Sequence, residues 1–294
     1  MTAVKARLKG LFTDERRALI RRKQSRLRWL HKYRRLRSFA YPSRAHPLIA
    51  LKFVLIDPEV ETFTYEIANE PEVAAVVAGS LGGDEDRVMA YIQEAKHDPE
   101  LTTELTRRVR RRWDTKARLP LGTRLGWYAL TRLTRPGTTV ETGIHAGLGS
   151  LTILRALERN AEEGAPGELI SFDLIGGSGR LVPPRLRRFW TPVYESTFVA
   201  LDRVLEARSV DLLFQDLCAG YEPEQHDYET VSRHAAERLV IVGASAHLTD
   251  ALSDFAAQRE LNYREWTDVP VRHVFPGTTT GIVVLDHPNS PKHG

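Results

Sequence analysis

From residue 119 onward, short apolar runs alternate with stretches whose apolar residues recur at helical spacing. The runs are Thr138–Glu141, Leu169–Asp173, Val210–Asp216, Leu239–Gly243 and Gly281–Asp286. They are short and rich in aliphatic or β-branched residues, which predicts strands. Between the first two lies Leu151–Glu162, with apolar residues at 151, 153, 154 and 157 on one helical face. Strand, glycine turn, helix and strand form a βαβ unit, so an α/β fold with a mainly parallel sheet covered on both faces is expected. A further run, Arg272–Phe275, is separated from Gly281–Asp286 by Pro276-Gly-Thr-Thr-Thr280. That spacing allows a hairpin but no helical crossover, so the sheet is expected to end antiparallel.

Upstream the pattern changes. Residues 48–118 read as helical, with runs such as Val73–Val77 and Val88–Ile92 and breaks at Asp57-Pro58, Gly79–Gly83 and Asp98-Pro99. Within residues 57–104 thirteen acids face only Arg87 and Lys96, so this section is acidic. Residues 1–47 read as a basic helical arm. Thr13-Asp14-Glu15 supplies a capping hydroxyl and two acids for a helix start, and Ile20, Leu27, Leu30 and Tyr33 make a thin apolar stripe. Three sections follow: arm 1–47, acidic helical lid or oligomerisation region 48–118, and core 119–294.

Charge sharpens this division. The net charge of +4 hides fourteen Lys/Arg against two acids in residues 1–40, a surplus of 12, so the remainder carries 4 − 12 = −8. A basic arm on an acidic body is an interaction element. It can dock on the acidic section in the same chain or in a second copy as a homodimer. It can also touch an anionic membrane as a peripheral contact, or bind nucleic acid. Cys218 is the only cysteine, which excludes an internal disulfide and a thiolate zinc site and makes a cytoplasmic location the default. No apolar run approaches a membrane span, and the charged N-terminus does not read as a secretory signal.

Chemistry concentrates after the first core strand. It ends at Glu141, and Gly143, Gly147 and Gly149 fall before the next helix. Glycines there let the backbone turn tightly and pass close to a ligand. The second strand ends in Asp173, 24 residues past Gly149, placed to accept both hydroxyls of a ribose. An adenosine-type cofactor is therefore expected. The spacing G-x-x-x-G-x-G differs from the G-x-G-x-x-G of nicotinamide enzymes. An acid two residues ahead of the first glycine repels a pyrophosphate and suits an ammonium and a sulfonium.

Glu141-Thr-Gly-Ile-His-Ala-Gly147 resembles motif I of class I methyltransferases, and residues 119–290 resemble the bacterial branch related to catechol and macrolide-sugar O-methyltransferases. Ser171-Phe-Asp173 resembles the motif whose acid holds the ribose. Tyr194-Glu-Ser196 stands where the family has Gly-Asp-Ser beside the adenine. Val210–Asp216 resembles the fourth strand, whose final Asp lies near the methyl donor. Tyr221-Glu222 echoes His-x-Tyr-Glu, with Cys218 or Ala219 in place of the histidine. The resemblance implies a Rossmann-like, doubly wound seven-stranded sheet with an antiparallel C-terminal strand, an N-terminal helical extension, and S-adenosylmethionine as cofactor. The cofactor residues it implies are Glu141, Gly143, His145, Gly147, Gly149, Ser150, Asp173, Glu195, Ser196 and Asp216.

The pattern departs from the family in one place. Many relatives hold Mg²⁺ with the fourth-strand Asp and a pair of acids, or an Asp-Asn, just after the fifth strand. Here that position reads Ile241-Val-Gly-Ala-Ser-Ala-His247, with no carboxylate at 243–245. One acid is too few for a hard divalent cation, so no catalytic metal is expected. His247, Asp216 and His226 remain as candidate catalytic groups, with His145 assigned to covering the methionine part of the cofactor. The acceptor expected is a small molecule or a glycan, with O-methylation ahead of N-methylation. Two other readings stand beside it: an RNA methyltransferase guided by the arm, and a binding protein that kept the fold and lost the chemistry. Phe63, Tyr65, Trp113, Trp127 and Tyr128 are candidates to line the acceptor pocket or, alternatively, to fill the helix–sheet interface.

Overall fold

A computed structural model of the protein describes Leu51, Leu55 and residues 64–109, 120–217, 220–244 and 246–286. It divides into two compact units. One comprises Met1–Phe63, Trp113–Lys116 and Arg272–Pro276, and the other Thr64–Arg112, Ala117–Val271 and Gly277–Gly294. Of the first unit the described residues are Leu51 and Leu55, both helical and exposed, and the irregular stretch 272–276. The expectations for the arm 1–47, for Phe63 and Trp113, and for Cys218, Ala219 and Ser245 lie outside the described residues.

In the second unit local chemistry sets the helix ends. Helix α1 (Glu70–Leu81) starts with Pro71 in its first turn, where a missing N–H costs nothing, and stops at Gly82 in the left-handed region, φ 68°. Helix α2 (Glu85–His97) is capped by Asp84, which accepts from the Asp86 N–H; acids fill its first turn and Lys96 and His97 its last. A π-turn (Glu100–Glu104) and α3 (Leu105–Val109) follow. Helix α4 (Arg124–Thr134) leads into β1 (Thr138–Thr142) and α5 (Leu148–Glu162).

The chain then alternates. It runs through β2 (Glu168–Phe172), a 3₁₀ turn (Pro184–Phe189), β3 (Trp190–Val193), α6 (Thr197–Leu205), β4 (Val210–Gln215), α7 (Tyr221–Arg233), β5 (Ala235–Gly243), α8 (Ala251–Gln258), β6 (Tyr263–Thr267) and β7 (Thr279–Asp286). One seven-stranded sheet results, in the order β3-β2-β1-β4-β5-β7-β6. The five strands from β3 to β5 pair in parallel, and β7 runs antiparallel to both β5 and β6. The expected α/β, Rossmann-like sheet with an antiparallel C-terminal strand is present. On one face Val140, Ile170, Leu213, Ile241 and Val283 meet Leu201, Val231 and Phe255 of the covering helices, all fully buried.

The antiparallel pairing was expected, but one strand was misplaced. Arg272–Phe275 is irregular, and the partner of β7 is Tyr263–Thr267. This edge strand exposes Arg264 and Glu265 while burying Trp266, so its apolar signal is weak. Among the described residues no helix is long and apolar enough to cross a membrane.

Candidate functional site

Parallel strands deliver their carboxyl ends to one edge of the sheet, where open α/β folds place ligands. Glu141 lies at that end of β1 and is fully buried. Register explains what it touches. Its partner on β2 is Ser171, whose hydroxyl donates to Glu141 Oε2 at 2.7 Å. Ser150, in the first turn of α5, donates to the same oxygen at 2.5 Å. Trp190 Nε1–H in turn donates to Ser171 Oγ at 2.9 Å, so β3, β2 and β1 are tied through one carboxylate. Glu141 Oε1 is buried with no hydrogen-bond partner among the described residues. Burial pushes the Glu141 pKa up to about 7, against the opposing pull of the two serine bonds.

The three glycines of the loop give their missing side-chain space to protein atoms. A Cβ on Gly143 would lie 2.6 Å from the Asp216 carbonyl oxygen; on Gly147, 2.7 Å from the Gly179 Cα; on Gly149, 2.7 Å from both Glu141 Oε1 and the Trp127 ring. Gly143 and Gly147 also hold φ of 96° and 86°, where an L-residue is strained. His145 adopts φ 46° and is exposed. Its N–H donates to Asp173 Oδ2 at 2.9 Å, and the Ile144 N–H reaches the same oxygen at 3.2 Å. Asp173 Oδ1 accepts from the Ile175 N–H at 2.7 Å. Asp173 therefore fixes the glycine loop and, as a carboxylate with about four lone-pair directions, keeps acceptor capacity for a further donor.

A second loop closes on the first. The Gly179 N–H donates to the His145 carbonyl at 2.9 Å and the Leu181 N–H to the Ala146 carbonyl at 3.0 Å. Leu174 and Ile175 at its start are exposed large apolar residues beside Asp173. The Gly176–Gly179 loop is not among the expected site segments, although its glycine density is a usable signal in the sequence.

Asp216 follows β4 directly, and its side chain keeps 28% exposure. Burial pushes its pKa up to about 6, and the charge of Arg124 opposes this. Arg124, at the start of α4, places Nη2 4.0 Å from Asp216 Oδ2. Its guanidinium lies over the Trp127 ring at 5.5 Å, and that ring stacks on Phe214 of β4 at 5.0 Å. Trp127 and Tyr128 are fully buried, and Tyr128 donates to Glu94 at 2.5 Å, so both fill the helix–sheet interface. Nothing in local spacing announced Arg124; its position depends on how α4 docks.

Farther along the same edge, Tyr65 donates to Asp268 Oδ2 at 2.8 Å, and Trp266 Nε1–H donates to Oδ1 at 2.9 Å. Burial pushes Asp268 up to about 6 despite those two bonds. His247, after β5, accepts at Nδ1 from the Thr279 N–H at 3.3 Å. Burial holds its pKa below the ordinary histidine value.

The remaining expected residues lie on other elements. His226 on α7 meets the Phe198 ring at 4.2 Å and Asp227 at 3.3 Å. Glu195 accepts from exposed Arg203 at 2.9 Å. Ser196 begins α6 without a side-chain cap bond, its carbonyl accepting from Ala200 at 3.0 Å. Among the described residues no group of three or more His, Cys, Asp or Glu is arranged to hold a metal ion.

Residues 140–245, which span β1 to the end of β5, match the family described as a methyltransferase domain. No curated protein sequence matches the chain. Among solved structures, it is similar to an O-methyltransferase from Bacillus cereus in complex with SAH, at 12% identity and TM-score 0.45 over 73% of this chain and 97% of that one. A methyltransferase from Geobacter sulfurreducens gives 17% identity and TM-score 0.45 over 69% and 96%. The O-methyltransferase TomG of Streptomyces achromogenes, in complex with SAM, gives 10% and 0.42 over 83% and 98%. Likenesses at this level carry no weight for the chemistry of this chain.

Proposed function

We propose that this protein binds S-adenosylmethionine and transfers its methyl group to a hydroxyl of a small molecule or glycan without a divalent metal. The observation that carries the reading is the row of acids at the carboxyl ends of three adjacent strands: Asp173 after β2, Glu141 on β1 and Asp216 after β4. Asp173 would hold the ribose hydroxyls, and Asp216 the positive amino-acid end. Glu141, bound to Ser150 and Ser171, sets the loop between them.

When bound, the cofactor supplies an electrophilic methyl carbon. The protein's part is to hold the acceptor oxygen in line with it in a dry site, and effective molarity is the main source of acceleration. Burial lowers the His247 pKa and so favours the neutral ring, which can take the acceptor's proton in exchange for its long bond from the Thr279 N–H. The metal-free reading is supported by Gly243 and Ala244, which bring no carboxylate, and by Arg124, a cation already beside Asp216.

Calorimetry with S-adenosylhomocysteine tests the proposal. The wild type should bind, and Asp173→Ala should lose at least about tenfold in affinity, the worth of one charge-assisted bond pair. Wild-type protein that takes up neither S-adenosylhomocysteine nor S-adenosylmethionine overturns it.

A further inference from the structure

Arg124 is a mostly buried cation whose donors find no hydrogen-bond acceptor among the described residues. Its side chain is 20% exposed, and among the described residues its buried Nε has no hydrogen-bond partner. Among the described residues its guanidinium makes no hydrogen bond, the contact with Asp216 lying at the 4.0 Å limit of an ion pair. A guanidinium presents five N–H donors in a rigid fork that fits a carboxylate. Leaving such donors unsatisfied away from water is costly, and a ligand that accepts from them recovers the cost.

The surroundings narrow the choice of ligand. Arg124 exerts its charge on Glu141, Asp216, Asp268 and Tyr65. A lone anion would meet three carboxyl groups there. A zwitterion would not, since its positive group faces an acid while its negative group faces the guanidinium. Asp216 and Arg124, side by side, present that pair of opposite charges. Their position along the sheet agrees. Asp173 follows β2 and Asp216 follows β4, with β1 between, so they stand about 10 Å apart at ordinary strand spacing. A ligand held by its ribose at Asp173 would reach β4 with its amino-acid end.

Resting on the cofactor reading above, we infer that Arg124 binds the carboxylate of the cofactor's amino-acid end while Asp216 takes the ammonium. Arg124 thereby selects a cofactor with an intact amino-acid chain over a truncated adenosine thioether.

The test is calorimetric binding of S-adenosylhomocysteine and of 5′-methylthioadenosine, which lacks that chain, to wild type, Arg124→Gln and Arg124→Lys, with melting temperatures measured alongside. Arg124→Gln should weaken S-adenosylhomocysteine by at least about tenfold and leave 5′-methylthioadenosine within twofold. Arg124→Lys, which keeps the charge without the fork, should fall between them and carries the test if the glutamine variant does not fold. Unchanged S-adenosylhomocysteine affinity, or an equal loss for both ligands, overturns the inference. A wild type that binds neither ligand defeats the cofactor reading itself.

Discussion

Two sets of buried or half-buried carboxyl groups in this molecule behave in opposite ways. The first is Asp98, Glu100 and Glu158, which join the turn after α2 to α5 and the 3₁₀ turn. Asp98 accepts from the Glu100 and Leu101 N–H groups and from Arg155 at 2.8 Å. Glu158 accepts from Arg155 and Arg185, both at 2.5 Å, and Glu100 from Arg185 at 2.9 Å. Burial raises the pKa of Asp98 and Glu158, but the arginine bonds and charges outweigh it and hold both below the ordinary values. The second set is Glu141, Asp216 and Asp268 at the carboxyl ends of the strands. Their partners are two serines, one distant arginine, a tyrosine and an indole, and burial wins in each. The difference is a matter of counterions. The first set holds helices together, whereas the second leaves charge unanswered where a cationic ligand is proposed to sit.

The largest effect should come from breaking the answered set. Arg155→Leu strands Asp98 and Glu158 beside an apolar side chain and should lower stability by about 3–5 kcal/mol in urea unfolding, as for other buried pairs stripped of one partner. A loss below 1 kcal/mol would mean that Arg159, Arg185 and Arg188 suffice alone.

The pH dependence separates the two sets next. Glu141, whose native pKa is raised from 4.5 to about 7, stabilises the fold fully below 4.5 and loses that contribution as pH climbs through about 7. Asp216 and Asp268 act in the same sense, between 3.8 and about 6. Asp98 and Glu158 act in the reverse sense, contributing above their unfolded values and losing it as pH falls through their lowered ones. Between pH 5 and 8, Glu141→Gln should therefore remove a decline on the order of 2 kcal/mol from the wild-type stability curve. A curve parallel to wild type would show that Glu141 is ionised throughout.

The smallest effect should be Ser150→Ala, which deletes one donor to Glu141 and lets its pKa rise further. At pH 8 it should cost about 1 kcal/mol, and much less at pH 5 where the carboxyl is neutral. Equal costs at both values would detach the serine from the titration.

Much of this was legible in the chain because central strands are apolar on both faces and glycine loops are conspicuous. The runs at 138, 169, 210, 239 and 281 correspond to β1, β2, β4, β5 and β7. The two strands the pattern did not reveal are the edges: Trp190–Val193 is four residues long and contains Pro192, and Tyr263–Thr267 carries the exposed pair Arg264 and Glu265 at its centre. In the site, Glu141, Asp173 and Asp216 were readable from their place at strand ends. Ser171 as a donor to Glu141, Arg124 beside Asp216 and Asp268 beneath Tyr65 were not. Each depends on register or on docking between residues far apart in sequence, which local spacing does not encode.

The close approach of Gly147 to Gly179 reaches beyond this fold's stability. The two residues lie on separate loops yet share one gap, and the indole of Trp190 presses on Gly179 from the other side. For anyone moving parts between proteins, the glycine loop at 143–149 is therefore not a portable cassette. A transplant has to carry the 174–182 loop with it, because a side chain at Gly147 would run into the backbone of Gly179, and one at Gly179 into Trp190.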